Sequence, residues 1–151
     1  MDGRRQTTIN ELPIVYLDSS VFFAATNSPY GGSSKIFSEH KNKIMVCTST
    51  FVLDETERNV IKKLPPLVTE RFFTLQKLIE HFESISNPKE LEKAEKVIVK
   101  KDAYVIADAK NLNATYLVTY DKKHFFTEKV NTYLNPTKVV TPGGLIKLLN
   151  L

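Results

Sequence analysis

Ile14-Val15-Tyr16-Leu17-Asp18-Ser19-Ser20 runs from four apolar residues straight into an acid and two hydroxyls. A short run apolar on both faces reads as a strand buried on both sides, the kind found in parallel sheets. Asp18-Ser19-Ser20 then reads as a turn or a helix start, because such side chains cap helices. Working outward, the run Ile44 to Thr48 reads as a second strand, Tyr116 to Thr119 as a third and Lys138 to Thr141 as the last. Helical patterns fall between them. Phe51 to Leu64 is stopped by Pro65-Pro66. Val68, Phe72, Leu75, Ile79 and Phe82 recur every three or four residues and predict one helix over 67–85. Ser33-Ser34 is expected to cap a helix carrying Ile36 and Phe37, and further helices are expected over Glu90 to Ile98, Asp102 to Leu112 and after Pro142-Gly143-Gly144. Strands alternating with helices imply a three-layer α/β/α sandwich around a mostly parallel sheet. Ligands of such sheets sit beyond the carboxyl ends of the strands, near a topological switch point, and Asp18 and Asp121 both fall at that edge.

Four acids adjoin apolar runs. Asp18 follows Leu17, Glu55 follows Phe51-Val52-Leu53, Asp102 precedes Ala103-Tyr104-Val105-Ile106, and Asp121 follows Tyr116-Leu117-Val118 by two residues. A carboxylate beside a core segment needs compensation, and four that converge repel one another. A divalent cation is the simplest remedy, and oxygen-only ligation suits Mg²⁺ or Mn²⁺, the ions of phosphodiester hydrolysis. The periodicity of each helix bears on the choice. Asp102 lies within the apolar face set by Val105, Ile106, Ala109 and Leu112, with Asp108 at its margin. On the helix from Phe51, the stripe is Leu53, Val60, Ile61 and Leu64, and Glu55 points away from it, so spacing does not choose among Asp54, Glu55 and Glu57.

A chain of 151 residues, 42% hydrophobic and 25% charged, suffices for one core and does not indicate a disordered chain. Residues 1–12 read as a flexible polar arm and 13–151 as a single domain. The net charge of +4 and pI of about 9.1 permit contact with phosphate backbones. Cys47 stands alone, which excludes an internal disulfide and a cysteine-based zinc site, and it reads as a small buried hydrophobe in a reducing cytoplasm. Arg4-Arg5 precedes no apolar segment, and no run approaches membrane-spanning length. Lys122, Lys123 and His124 follow Asp121 and form a cationic loop suited to phosphates. Arg58 and Lys62-Lys63 share the helix of Glu55 and could guide an RNA strand, but read first as ordinary surface; His40 and His81 are assigned no chemistry.

The ordered set of segments resembles the PIN-domain nucleases over about residues 13 to 149. The matching pieces are Ile14 to Val21, Ser49 to Glu55, Lys101 to Ala109, Tyr116 to Phe125 and the closing Val139-Val140-Thr141-Pro142-Gly143. The resemblance implies a Rossmann-like α/β/α sandwich and an acidic quartet of Asp18, Glu55, Asp102 and Asp121 that binds one or two Mg²⁺ or Mn²⁺ ions. It maps Ser20 and Thr119 onto polar positions near the metal; many members carry Asn where Ser20 stands. Asp108 falls where the family often has a small apolar residue, either as an added outer acid or as an exposed one. The implied activity is endoribonucleolytic hydrolysis leaving a 5′-phosphate and a 3′-hydroxyl. The small form resembles the toxin of a toxin–antitoxin pair, with an RNA substrate, a cognate antitoxin and a homodimer expected. A stand-alone RNA-processing enzyme and a non-catalytic RNA- or protein-binding module are the alternatives. A phosphotransfer receiver-like domain is disfavoured, since the paired acid and the late lysine it needs are absent.

Overall fold

Successive side chains of a strand point to opposite faces of its sheet, and here both faces are buried. In β1, Ile14–Leu17, Val15 and Leu17 enter one core cluster while Tyr16 enters the other. The same division separates Val46 from Cys47 in β2, Met45–Ser49, and Val118 from Leu117 in β4, Tyr116–Val118. With β3, Glu80–Phe82, and β5, Lys138–Val140, they form one parallel sheet in the order β3-β2-β1-β4-β5. The register pairs Tyr16 with Cys47 on one side and with Leu117 on the other. The computed structural model describes residues 12–38, 42–84 and 86–151; the expected arm up to residue 11, and His40, lie outside the described residues.

One helical layer contains α1, Ser19–Asn27; α2, Gly32–Ser38; α3, Thr50–Lys63; α4, Pro66–Gln76; and α9, Pro142–Leu149. Its centre is Phe22, edge-on to Phe37 at 5.0 Å and tilted against Phe72 at 5.0 Å. Such pairs contribute about 0.5–1.5 kcal/mol each beyond the area they bury. The other layer holds α5, Pro88–Glu95; α6, Ala103–Asn111; α7, Lys122–Phe125; and α8, Glu128–Leu134. Val105, Ile106 and Ala109 of α6 meet Tyr16 and Leu117 there. This is the three-layer α/β/α sandwich that the alternation of elements implied.

Four local expectations change. The helix expected over 67–85 stops at Gln76, and Glu80–Phe82 instead pairs with Cys47, Thr48 and Ser49 as the edge strand. Backbone pairing with an open strand edge overrides a periodicity that two elements happened to continue. Ser33 and Ser34 lie inside α2 rather than before it, and Ser34 Oγ donates to the carbonyls of Ala25 and Ser28. Residues 122–134, for which no element was expected, form α7 and α8, each started by a side chain that accepts from the amide three residues on: Asp121 from His124, and Thr127 from Val130. On α3 the buried face is Val52, Leu53, Thr56 and Val60, while Ile61 is 61% exposed. Thr56 is tolerated inside because its hydroxyl donates to the Val52 carbonyl at 2.8 Å.

The chain leaves β1 toward β2 on one side, and β4 lies on the other. The switch point of the sheet therefore falls between the carboxyl ends of β1 and β4, where Asp18 and Asp121 emerge.

Candidate active site

Asp18 ends β1 and caps α1, so one residue serves the helix and faces the switch point. Its Oδ1 accepts from the Ser19 amide at 2.7 Å, and its Oδ2 accepts from Ser20 Oγ at 3.0 Å and Thr119 Oγ1 at 2.7 Å. Both hydroxyls are themselves fixed by backbone amides across the gap: Tyr120 N donates to Ser20 Oγ at 3.1 Å, and Asp121 N to Thr119 Oγ1 at 3.0 Å. The two polar neighbours expected from sequence thus tie the end of β1 to the loop after β4. Burial pushes the Asp18 carboxyl above its ordinary range; the bonds from Thr119, Ser19 and Ser20 oppose that rise, and the charge of Glu55 adds to it.

Asp102 arrives differently. It closes a short 3-10 helix, Lys100–Asp102, and occupies the N-cap position of α6, yet its side chain makes no capping bond. The residue is 9% exposed, and its Oδ2 is buried with no hydrogen-bond partner among the described residues. Burial raises the carboxyl to about 6, helped by the negative charge of Asp18 and opposed by Lys101, with Asp121 and Glu55 adding smaller repulsions. The charges of three other acids thus act on the Asp102 carboxyl.

Asp121 has a compensating partner. Its burial works against the charged form, but His124 outweighs that and holds the carboxyl below its ordinary range. The imidazole Nδ1 lies 2.7 Å from Asp121 Oδ2, and the His124 amide donates to Oδ1 at 3.2 Å. Asp102, Asp121 and His124 each present one ligand atom within 4.8 Å of the others. Glu55 stands on the flank of α3, where Tyr104 Oη donates to its Oε2 at 2.9 Å; the Phe51 and Tyr104 rings meet at 4.1 Å. Rotation of the α3 face from the expected stripe is what leaves Glu55 beside α6.

Asp108, the fifth acid, is fully buried at the far end of α6. Its Oδ1 accepts from Ser84 Oγ at 3.0 Å and Ser86 Oγ at 2.6 Å, both just beyond β3. Lys122 and Lys123 lie exposed on α7. Lys123 and His124 line a cleft of about 360 Å³ together with Lys96, Lys129 and Thr127. Sequence reasoning missed Tyr104 and Lys101, which carry no signal linking them to distant acids. It also took His124 for a phosphate contact alone, although its position three residues after a capping acid is the spacing that brings it back onto Asp121.

The PIN domain sequence profile matches residues 15–129. Among curated proteins, none matches the chain by sequence. Among solved structures, the VapBC2 complex of Rickettsia felis, bound to a DNA fragment from its promoter, is similar with a TM-score of 0.65 and 16% identity, over 85% of this chain and 98% of that one. The sarcin-ricin-loop-cleaving toxin VapC20 of Mycobacterium tuberculosis gives a TM-score of 0.54 and 15% identity, over 72% and 91%. DNA-bound VapBC of Salmonella typhimurium gives 0.60 and 13%, over 87% and 98%. At such identities the likeness is one of fold.

Proposed function

This chain belongs to the PIN domain family, and from that membership we propose a metal-dependent endoribonuclease whose single domain spans residues 13–151. The observation that carries the reading is Asp102 Oδ2, a buried carboxylate oxygen with no hydrogen-bond partner among the described residues, beside three further acids. A cation, a proton or an ordered water relieves such a group, and the family's chemistry supplies the cation. Asp18, Glu55, Asp102 and Asp121 are the residues that would hold it, and oxygen donors of this kind fit Mn²⁺ or Mg²⁺. When bound, the ion would neutralise charge at the scissile phosphate and make a water acidic enough to attack it.

The remaining roles belong to the chain itself. Ser20 and Thr119 fix the Asp18 carboxylate, His124 orients Asp121, and Tyr104 orients Glu55. Lys123, with Lys96 and Lys129 in the same cleft beside Glu95, offers cations to the phosphates flanking the scissile bond, His124 adds a hydrogen-bonding ring there, and Lys122 adds to that surface. Likeness of fold to VapBC complexes supports a toxin role with an antitoxin as partner; a homodimer is part of the proposal. No described helix is long and apolar enough to cross a membrane, in keeping with a cytoplasmic site of action. The test is cleavage of single-stranded RNA with Mn²⁺, with and without chelator. Chelator-sensitive cleavage that disappears in Asp102→Asn is expected; cleavage indifferent to chelator, or none at any Mn²⁺ concentration, overturns the proposal.

A further inference from the structure

Phe51 is a large apolar ring, 52% exposed, one turn from an acid of the site. It is not loosely held, because it packs on Tyr104, whose hydroxyl is tied to Glu55. The same face of α3 continues as Arg58 and Lys62, seven and eleven residues on, a spacing that returns to one helical stripe. Both are exposed, and among the described residues neither is engaged in an ion pair. Lys63, by contrast, turns away and lies over the Phe23 ring at 5.9 Å. At a rise of about 1.5 Å per residue, Arg58 stands about 10 Å and Lys62 about 16 Å along the axis from Phe51. Asp54 borders the stripe on one side, exposed.

An exposed aromatic face followed by cations is the arrangement that binds a single strand, with a base stacked on the ring and phosphates against the charges. We infer that the outward stripe of α3, Phe51 followed by Arg58 and Lys62, is a track that leads single-stranded RNA to the carboxylates, with an unpaired base stacked on Phe51. This rests on the nuclease reading for the identity of the substrate. It adds a direction of approach and a requirement that the nucleotide beside the scissile bond be unpaired. A protein docking on the same stripe is the rival, and the cations favour the polyanion.

The test uses the full chain in chelator, where no cleavage intervenes, and a fluorescein-labelled unstructured 12-nucleotide RNA whose binding is followed by anisotropy at several salt concentrations. Phe51→Ala is expected to weaken binding about tenfold without changing the salt slope, and Phe51→Trp to restore it. Arg58→Gln and Lys62→Gln are each expected to flatten the slope by about 0.7. Lys138→Gln, at the opposite edge of the sheet, should change neither. Removing single bases in turn should make wild type and Phe51→Ala bind equally when the base over Phe51 is missing, and a blunt RNA duplex should bind both proteins alike. Binding unchanged in all three stripe variants overturns the track and leaves the stripe to a protein partner. Weakening by Phe51→Ala that persists at every base-less position overturns stacking. A wild type that cleaves with Mn²⁺ while the stripe variants keep its KM removes this inference and leaves the nuclease reading standing. Base-dependent binding without any cleavage does the reverse.

Discussion

Asp18 and Asp102 are both buried aspartates at one sheet edge, yet Asp18 accepts three hydrogen bonds while Asp102 keeps one carboxylate oxygen without any among the described residues. The Asp18 corner is built by the fold itself: β1 ends there, α1 begins there, and Ser20 and Thr119 bind the carboxylate whether or not anything else is present. The Asp102 corner is incomplete as protein alone. An unpaired buried acid costs on the order of 1–3 kcal/mol or more, so the second corner stores a demand that a cation meets. One acid anchors the site to the scaffold, and on the proposed reading the other gives it affinity for a cation.

The largest effect that tests this contrast is Asp18→Asn. Asn keeps the shape, but its NH2 must face either the Ser20 and Thr119 hydroxyls or the Ser19 amide, all of which donate to this carboxylate. RNA cleavage with Mn²⁺ is expected to fall a hundredfold or more, on the order seen when one charge-stabilising group is removed, with about 1–2 kcal/mol of stability lost in chelator. A folded Asp18→Asn enzyme with wild-type kcat/KM would remove Asp18 from the site.

Why Asp18 was legible and other features were not follows from the physics of each. A four-residue strand apolar on both faces is readable because burial on both sides leaves no alternation to confuse, and the acid that ends it is placed by the strand. β3 was unreadable because Ile79 and Phe82 prolong the period of Val68, Phe72 and Leu75, and only pairing with β2 reveals the strand. The face of α3 was misread because Ile61 counts as apolar in any pattern but is solvent-facing, whereas Thr56 hides its hydroxyl on its own helix. The contact between Glu55 and Tyr104 joins residues 49 apart and leaves no local trace.

That contact separates three neighbouring acids. Glu55→Gln is expected to lower cleavage about tenfold to a hundredfold, whereas Asp54→Asn and Glu57→Gln stay within about threefold, since removal of ligands or their holders changes metal affinity on that scale. Steady-state kinetics at fixed Mn²⁺ check this, and equal losses in all three variants would mean that α3 contributes no specific ligand.

The pH dependence sharpens the contrast further. The Asp102 carboxyl titrates near 6 in the folded chain, above its ordinary value of 3.8, so the folded state binds this proton more tightly than the unfolded one. The resulting stabilisation is fully present below about pH 4 and is lost as the pH rises through 6. Asp18, also raised, works in the same direction. Melting in chelator should therefore show wild type losing about 1–2 kcal/mol between pH 4 and pH 7 relative to Asp102→Asn. Millimolar Mn²⁺ should reverse this, raising the Tm of wild type more at pH 7 than at pH 5, where protons compete for the ligands. Parallel curves for the two proteins, with or without Mn²⁺, would show that Asp102 is not the unsatisfied acid.

Tyr104→Phe deletes one hydroxyl and leaves the ring on Phe51. Glu55 then loses its fixed orientation but not its charge, so the expected result is about a fivefold to tenfold rise in the Mn²⁺ concentration for half-maximal rate, with the rate at saturating Mn²⁺ nearly restored. A loss that no Mn²⁺ concentration recovers would place Tyr104 on the substrate instead.

The smallest effect on activity is expected at Asp108, the acid whose buried surroundings most resemble those of Asp18. Its Oδ1 accepts from Ser84 and Ser86, and the Asn111 side chain in turn donates to Ser86 Oγ, which joins α6 to the segment after β3 rather than to the carboxyl ends of β1 and β4. Asn retains an acceptor for the two serines but not the charge that strengthens those bonds. Asp108→Asn should therefore lower stability by about 1–2 kcal/mol and keep kcat/KM within about twofold. Ser86→Ala should cost less when Asp108 is already Asn, because the pair shares one bond. A tenfold loss of cleavage in Asp108→Asn at unchanged Tm would mean that its charge reaches the carboxylates through the body of α6. The contrast between an anchored and an unsatisfied acid would then have to include a third, acting on both from beneath.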